Sequence, residues 1–335
     1  MPRIFSLVLV VCLAVGCGLK PARSTDPAAP NPAGGDASDQ AGGEGTDLLA
    51  ARKGFTTRVT NNANYVADGP ADRPPAKLYR VVRYPSAVGP LVAYLSPDPG
   101  DGKKHPAVVY AHGGFGGING IAFGREEYAP FRDAGFVLFC PSWRGENDNP
   151  GKYEMFYSEV DDALASLKYL ADVPYVDPDR IYMIGHSTGG TVTLLTAEAN
   201  PKLRAAFSFG GAPDLARADY GNTPFNRATA GEVRLRSPIN FVGGLKTPTF
   251  YFEGDRSPEG RADEGYLPDA RRMQSAADAA GAPFKSFTVR GGTHFNIVRP
   301  LCGLLAGKLR TDTGPRFELS LTPAEVDRAF ATSGR

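Results

Sequence analysis

Arg180-Ile-Tyr-Met-Ile-Gly-His-Ser-Thr-Gly-Gly-Thr191 is the stretch on which the fold turns. Mostly apolar residues run from Ile181 to Ile184 into Gly185-His186-Ser187-Thr188-Gly189, and an apolar, glycine-free segment follows Thr191. This reads as a buried strand, a sharp turn that carries a serine, and a helix. A turn so tight tolerates only glycine at its flanking positions. The chain holds 40 glycines in 335 residues, so G-x-S-x-G alone is weak. A serine hydroxyl is a poor nucleophile at neutral pH, and the rest of the chain must supply a base, an orienting acid and oxyanion donors.

Composition sets the frame for that search. With 42% hydrophobic and 22% charged residues, the chain is ordinary for a globular protein and long enough for one large α/β domain. The net charge is +1 with both signs interspersed, which argues against a nucleic-acid partner. Four histidines are few enough to weigh one by one.

The chain starts with a short basic segment, Met1-Pro-Arg3, and an apolar run from Ile4 to Val15. The run is too short for a permanent span and fits a secretory signal. Ala14-Val-Gly-Cys17 resembles the bacterial lipobox, which implies cleavage before Cys17 and acylation of its thiol; the alternative is a plain signal peptide with an incidental cysteine. Residues 20–47 are rich in Pro, Ala, Gly, Ser and Asp and read as a flexible tether. The expected organisation is a signal peptide over 1–16, a tether over 17–50 and a catalytic domain over 51–335, best supported over 78–310. Such a chain is exported and anchored to membrane in the cell envelope, at the outer membrane or the periplasmic face. Of the remaining cysteines, Cys140 lies in the apolar run Gly135–Pro141 and reads as a core residue, and neither it nor Cys302 has metal-site spacing. No metal and no cofactor is expected.

Further along, Leu78–Tyr84 and Leu91–Leu95 read as an antiparallel opening pair, and Pro106–His112 and Gly135–Pro141 as buried parallel strands. A helix is expected over Glu154–Ala171, with Phe156, Val160, Ala163, Leu164, Leu167 and Leu170 on one face. After the serine come a helix over Thr191–Ala199, strands Ala205–Phe209, Thr247–Phe252 and Phe284–Val289, and helices Asp269–Ala280, Val298–Leu309 and Pro323–Ala331; residues 211–246 form an irregular excursion. Alternating strands and helices give a mostly parallel sheet covered on both faces.

In such a sheet the chemistry gathers at the carboxyl ends of the strands. His294 follows the last strand and is the expected base. His186 reads as structural, His112 ends a strand and His105 sits in a solvated turn. Asp255, directly after a strand and Gly254, is the expected orienting acid, with Glu253, Glu259 and Asp263 as alternatives. The chain order Ser187, Asp255, His294 is that of α/β-hydrolases. Oxyanion donors are expected from the Thr188 N–H and from Gly114 or Phe115 in the glycine-rich loop after His112.

Val176-Asp-Pro-Asp-Arg-Ile-Tyr-Met-Ile-Gly-His-Ser-Thr-Gly-Gly190, with His112–Gly116, Pro141–Gly145, Arg236–Pro238 and Lys246–Pro248, resembles the prolyl oligopeptidase catalytic domain and its dienelactone-hydrolase-like relatives. The resemblance implies an α/β-hydrolase fold, Ser187 as nucleophile, Asp255 as orienter, His294 as base and Thr188 in the oxyanion hole. The sequence departs from the family where Ser257 occupies the usual acid position and where Thr188 replaces an aromatic residue. No propeller domain is recognised ahead of the catalytic region, which favours an open site for a small ester. A short peptide substrate is the alternative, and would call on acids such as Glu126, Glu127 or Glu146, each of which otherwise reads as a solvated surface residue. A non-catalytic binding lipoprotein is the reading from another class. Oligomeric state is left open.

Overall fold

The computed structural model describes residues 46–60, 69–119 and 127–332. The signal peptide, Cys17 and most of the tether lie outside these residues. The folded unit nevertheless starts ahead of residue 51. A short helix α1 (Leu48–Arg52) is capped by the Asp47 carboxylate, which accepts from the Ala50 N–H at 2.9 Å. Leu48 is fully buried, and the Arg52 guanidinium donates to the carbonyls of Phe156, Tyr157 and Leu235.

Eight strands form the sheet: β1 (Arg80–Tyr84), β2 (Leu91–Leu95), β3 (His105–Ala111), β4 (Val137–Pro141), β5 (Val176–His186), β6 (Ala205–Phe209), β7 (Thr249–Arg256) and β8 (Phe284–Thr293). Their spatial order is β1-β2-β4-β3-β5-β6-β7-β8. The first two pairings are antiparallel and all later ones parallel. The described residues also hold helices α2 (Ala129–Asp133), α3 (Glu159–Ala171), α4 (Thr188–Glu198), α5 (Ala230–Arg234), α6 (Leu267–Ala280), α7 (Val298–Arg310) and α8 (Pro323–Thr332). This is the α/β-hydrolase fold.

Strand alternation sorts side chains into two cores. Ala107 and Val109 of β3, Phe139 of β4 and Met183 of β5 pack on one face with Val160, Leu167 and Leu195. Val108, Leu138 and Ile184 face the other way, against Phe131, Leu301, Leu305 and Val326. Cys140 and Cys302 belong to this second core as buried free thiols. Aromatic rings continue the layer across β6, β7 and β8, where Phe209, Phe252 and Phe287 stack in sequence.

Helix α3 starts five residues later than its apolar spacing predicts. Met155 and Phe156 adopt left-handed φ values of 55° and 70°, so residues 154–158 form a turn instead of helix. The Glu159 carboxylate holds that turn by accepting from the Glu154 and Tyr157 N–H groups at 2.6 and 3.1 Å. Phe156 leaves the helix face and its ring meets Tyr220 at 5.6 Å.

Candidate active site

Ser187 lies between the last residue of β5 and the first of α4, with φ 56° and ψ −121°. A β-carbon disfavours this conformation, and it is the strain that lifts the hydroxyl out of the turn. The neighbouring glycines are required by contact. A Cβ on Gly185 would strike Gly189 backbone and the Thr193 hydroxyl, and one on Gly189 would strike the backbone of Ala111 and His112. Strand β3 thus presses directly on the elbow. The Ser187 N–H donates to the Phe209 carbonyl at 2.8 Å, tying the turn to the end of β6.

His294 follows β8 and lies over the end of β6. A Cβ on Gly210 would collide with its ring, so only glycine fits there. Gly210 is next in chain to Phe209, so Ser187 and His294 both lie at the end of β6. The His294 carbonyl is held by the Nε2–H of His186 at 2.8 Å, and the two rings lie 4.8 Å apart. His186 is therefore more than a filler of the turn: it fixes the backbone of His294. The G-x-S-x-G spacing names the serine and gives no sign of this second duty.

The acid expectation needs correction. His294 Nδ1 lies 3.2 Å from Glu253 Oε2, and Glu253 is buried. Asp255 instead accepts from the Gly291 N–H at 2.8 Å and lies beside Arg256. The cause is a register break. Gly254 pairs with Val289, but Arg256 pairs with Thr293, so β8 carries extra residues across Gly254. Gly254 has no side chain to obstruct the crossing, and a Cβ there would meet the backbone of Gly292. The bend returns His294 toward Glu253 and leaves Asp255 holding the bend itself. Glu259 bonds the Ser257 hydroxyl, and Asp263 accepts from the Gly265 N–H.

Of the expected oxyanion residues, the structure brings Thr188 and Gly114 together: the Thr188 hydroxyl donates to the Gly114 carbonyl at 2.9 Å. As the first residue of α4, Thr188 has a backbone N–H without an intrahelical acceptor. The Phe115 ring packs edge-on against Tyr153 at 5.7 Å.

Glu146 departs from its surface reading. It is fully buried, and its Oε2 lies 2.9 Å from His112 Nε2 while also accepting from the Trp143 N–H at 3.0 Å. Burial alone would lower the His112 pKa, but the Glu146 charge and hydrogen bond, with help from the Gly113 carbonyl, turn the net shift upward. Glu126 lies outside the described residues. Among the described residues no group of three or more His, Cys, Asp or Glu is arranged to hold a metal ion.

Residues 122–234 match the prolyl oligopeptidase family. The match covers about a third of the chain, which is a serine hydrolase on an α/β-hydrolase fold. It is 26% identical over 200 residues to the uncharacterized peptidase YtmA of Bacillus subtilis, covering 56% of this chain and 76% of that protein. Among solved structures, the acylaminoacyl peptidase of Pyrococcus horikoshii aligns at 17% identity with a TM-score of 0.57, over 74% of this chain and 44% of that one. The esterase of Pyrobaculum calidifontis aligns at 20% identity and TM-score 0.54, over 73% and 87%. The chain spans less than half the length of the solved peptidases it resembles, among them the dipeptidyl peptidase 4 of Porphyromonas gingivalis at 32%. These structural likenesses bear on the fold.

Proposed function

We propose that this chain cleaves small carboxylic esters through an acyl-enzyme. Ser187 attacks the carbonyl carbon and His294 Nε2 takes its proton, Nδ1 being directed at Glu253. The tetrahedral oxyanion is met by the N–H groups of Thr188 and Gly114. Collapse expels the alcohol, protonated by His294, and water then releases the acid by the same steps in reverse. The observation that carries this reading is the strained Ser187 at the strand end beneath a histidine that is itself paired with a buried carboxylate.

A short-peptide substrate is the second reading, favoured by the family match and by the peptidase named as its relative. Against it, Glu146 is committed to His112 and is not placed to greet a substrate ammonium. A panel of p-nitrophenyl esters against aminoacyl-p-nitroanilides separates the two; turnover of the anilides alone would reverse the preference. We also propose export and lipidation at Cys17. Metabolic labelling with a palmitate analogue tests this, the label being lost in Cys17→Ala.

A further inference from the structure

We propose that the buried His112–Glu146 pair positions the oxyanion loop, drawing the Gly113 carbonyl back so that the Gly114 N–H faces the Ser187 hydroxyl. The proposal rests on the serine-hydrolase reading above and adds two residues to its machinery, neither of which touches substrate.

His112 directly follows β3, immediately before the loop. It is 1% exposed and Glu146 0%. Its ring stacks on Trp143 at 6.0 Å and 24°, which keeps it from swinging. Nε2–H is given to Glu146, and Nδ1 lies 3.4 Å from the Gly113 oxygen. A carbonyl only accepts, so this second contact is attractive when Nδ1 also carries a proton. The facing carboxylate favours that doubly protonated ring. In a trans peptide the C=O and the next N–H point in opposite directions. Holding the Gly113 oxygen toward His112 therefore turns the Gly114 N–H away from it.

Ser187 lies against that peptide. A Cβ on Gly113 would come within 3.3 Å of Ser187 Cβ, whereas one on Gly114 would meet nothing within 4 Å. The next carbonyl, that of Gly114, is pinned by the Thr188 hydroxyl. Two successive carbonyls are thus fixed by side chains, and the Gly114 N–H lies in the chain between them. Stability alone explains the pair poorly. Buried ion pairs seldom outperform apolar packing, and Glu146 Oε1 has no partner.

The test starts from wild-type enzyme titrated with a fluorophosphonate and assayed on p-nitrophenyl acetate. No labelling and no turnover in the wild type would reject the hydrolase reading itself. Given an active wild type, Glu146→Gln keeps the size and an acceptor oxygen but removes the charge. It should lower kcat about 10–100-fold with KM nearly unchanged, and weaken an arylboronic acid by a similar factor; losing one oxyanion donor outright costs roughly 100–1,000-fold. His112→Asn retains an N–H for the Gly113 carbonyl, and His112→Leu does not. The Asn variant should keep about tenfold more kcat than the Leu variant. Unchanged kcat and boronate affinity in Glu146→Gln overturn the proposal. Should that variant not fold, equal kcat for the Asn and Leu variants does the same.

Discussion

Two histidine–glutamate pairs stand at the carboxyl edge of the same sheet, built of the same side chains and put to different uses. His112–Glu146 is sealed, 1% and 0% exposed at 2.9 Å, while His294–Glu253 is 28% and 3% exposed at 3.2 Å. A base must exchange protons with substrate and solvent, so only the open pair suits that work. The sealed pair can keep a proton through the reaction and therefore act on backbone. The difference comes from their supports. His112 follows β3, an inner strand of the sheet, and stacks on Trp143. His294 lies past the end of β8, where Gly254 and Gly210 leave room for chain and ring.

The largest effect is expected from loss of the Ser187 hydroxyl. Ser187→Ala should cost roughly 10⁴-fold or more in kcat on p-nitrophenyl acetate and abolish fluorophosphonate labelling; labelling that persists would move the nucleophile elsewhere. Next comes the acid. Glu253→Gln should lower kcat by about 100–10,000-fold, the range seen when a base loses its orienting carboxylate. Asp255→Asn should change kcat less than about threefold while lowering thermal stability. The opposite ranking would return the acid to Asp255.

A smaller effect contrasts the paired glutamates with one that has no histidine. Burial pushes Glu159 up to about 8 against the opposing pull of its N–H partners. The folded state then holds a proton that the unfolded chain releases above the ordinary glutamate range, so stability falls as pH rises from about 4.5 toward 8. Glu159→Gln should flatten that dependence, seen as a change of a few degrees in the pH series of Tm. Smallest of all, a reducing agent should leave Tm unchanged within about 1 °C, because Cys140 and Cys302 are unbridged. Burial pushes the Cys140 thiol up to about 12 and Cys302 well above the usual range, so neither should react with a disulfide reagent until the protein unfolds.

Much of this was legible in the chain because its causes are local. The elbow is a steric statement about Gly185 and Gly189, and steric statements survive in sequence. The buried strands read as apolar runs for the same reason. The carboxylate beside His294 did not read correctly because its position depends on two strands at once. The sequence favours Asp255 over Glu253 until β8 is seen to cross Gly254 and take up Asp255 at Gly291. Spacing places Phe156 on a helix face, but the Glu159 carboxylate stabilises a left-handed turn that periodicity does not encode. His112 showed its place at a strand end but not its partner, which lies 34 residues on.

Arg52 places its guanidinium among the carbonyls of Phe156, Tyr157 and Leu235 and rests 4.6 Å over the Tyr157 ring. Beside it, Arg236 stacks 4.1 Å over Phe225, and Glu232 ties Thr57 to the same cluster. A tug on the chain ahead of Asp47 would be borne first by this rivet. The load would pass into the 154–159 turn and the 211–246 excursion, so the sheet that holds Ser187 would be the last part to feel it.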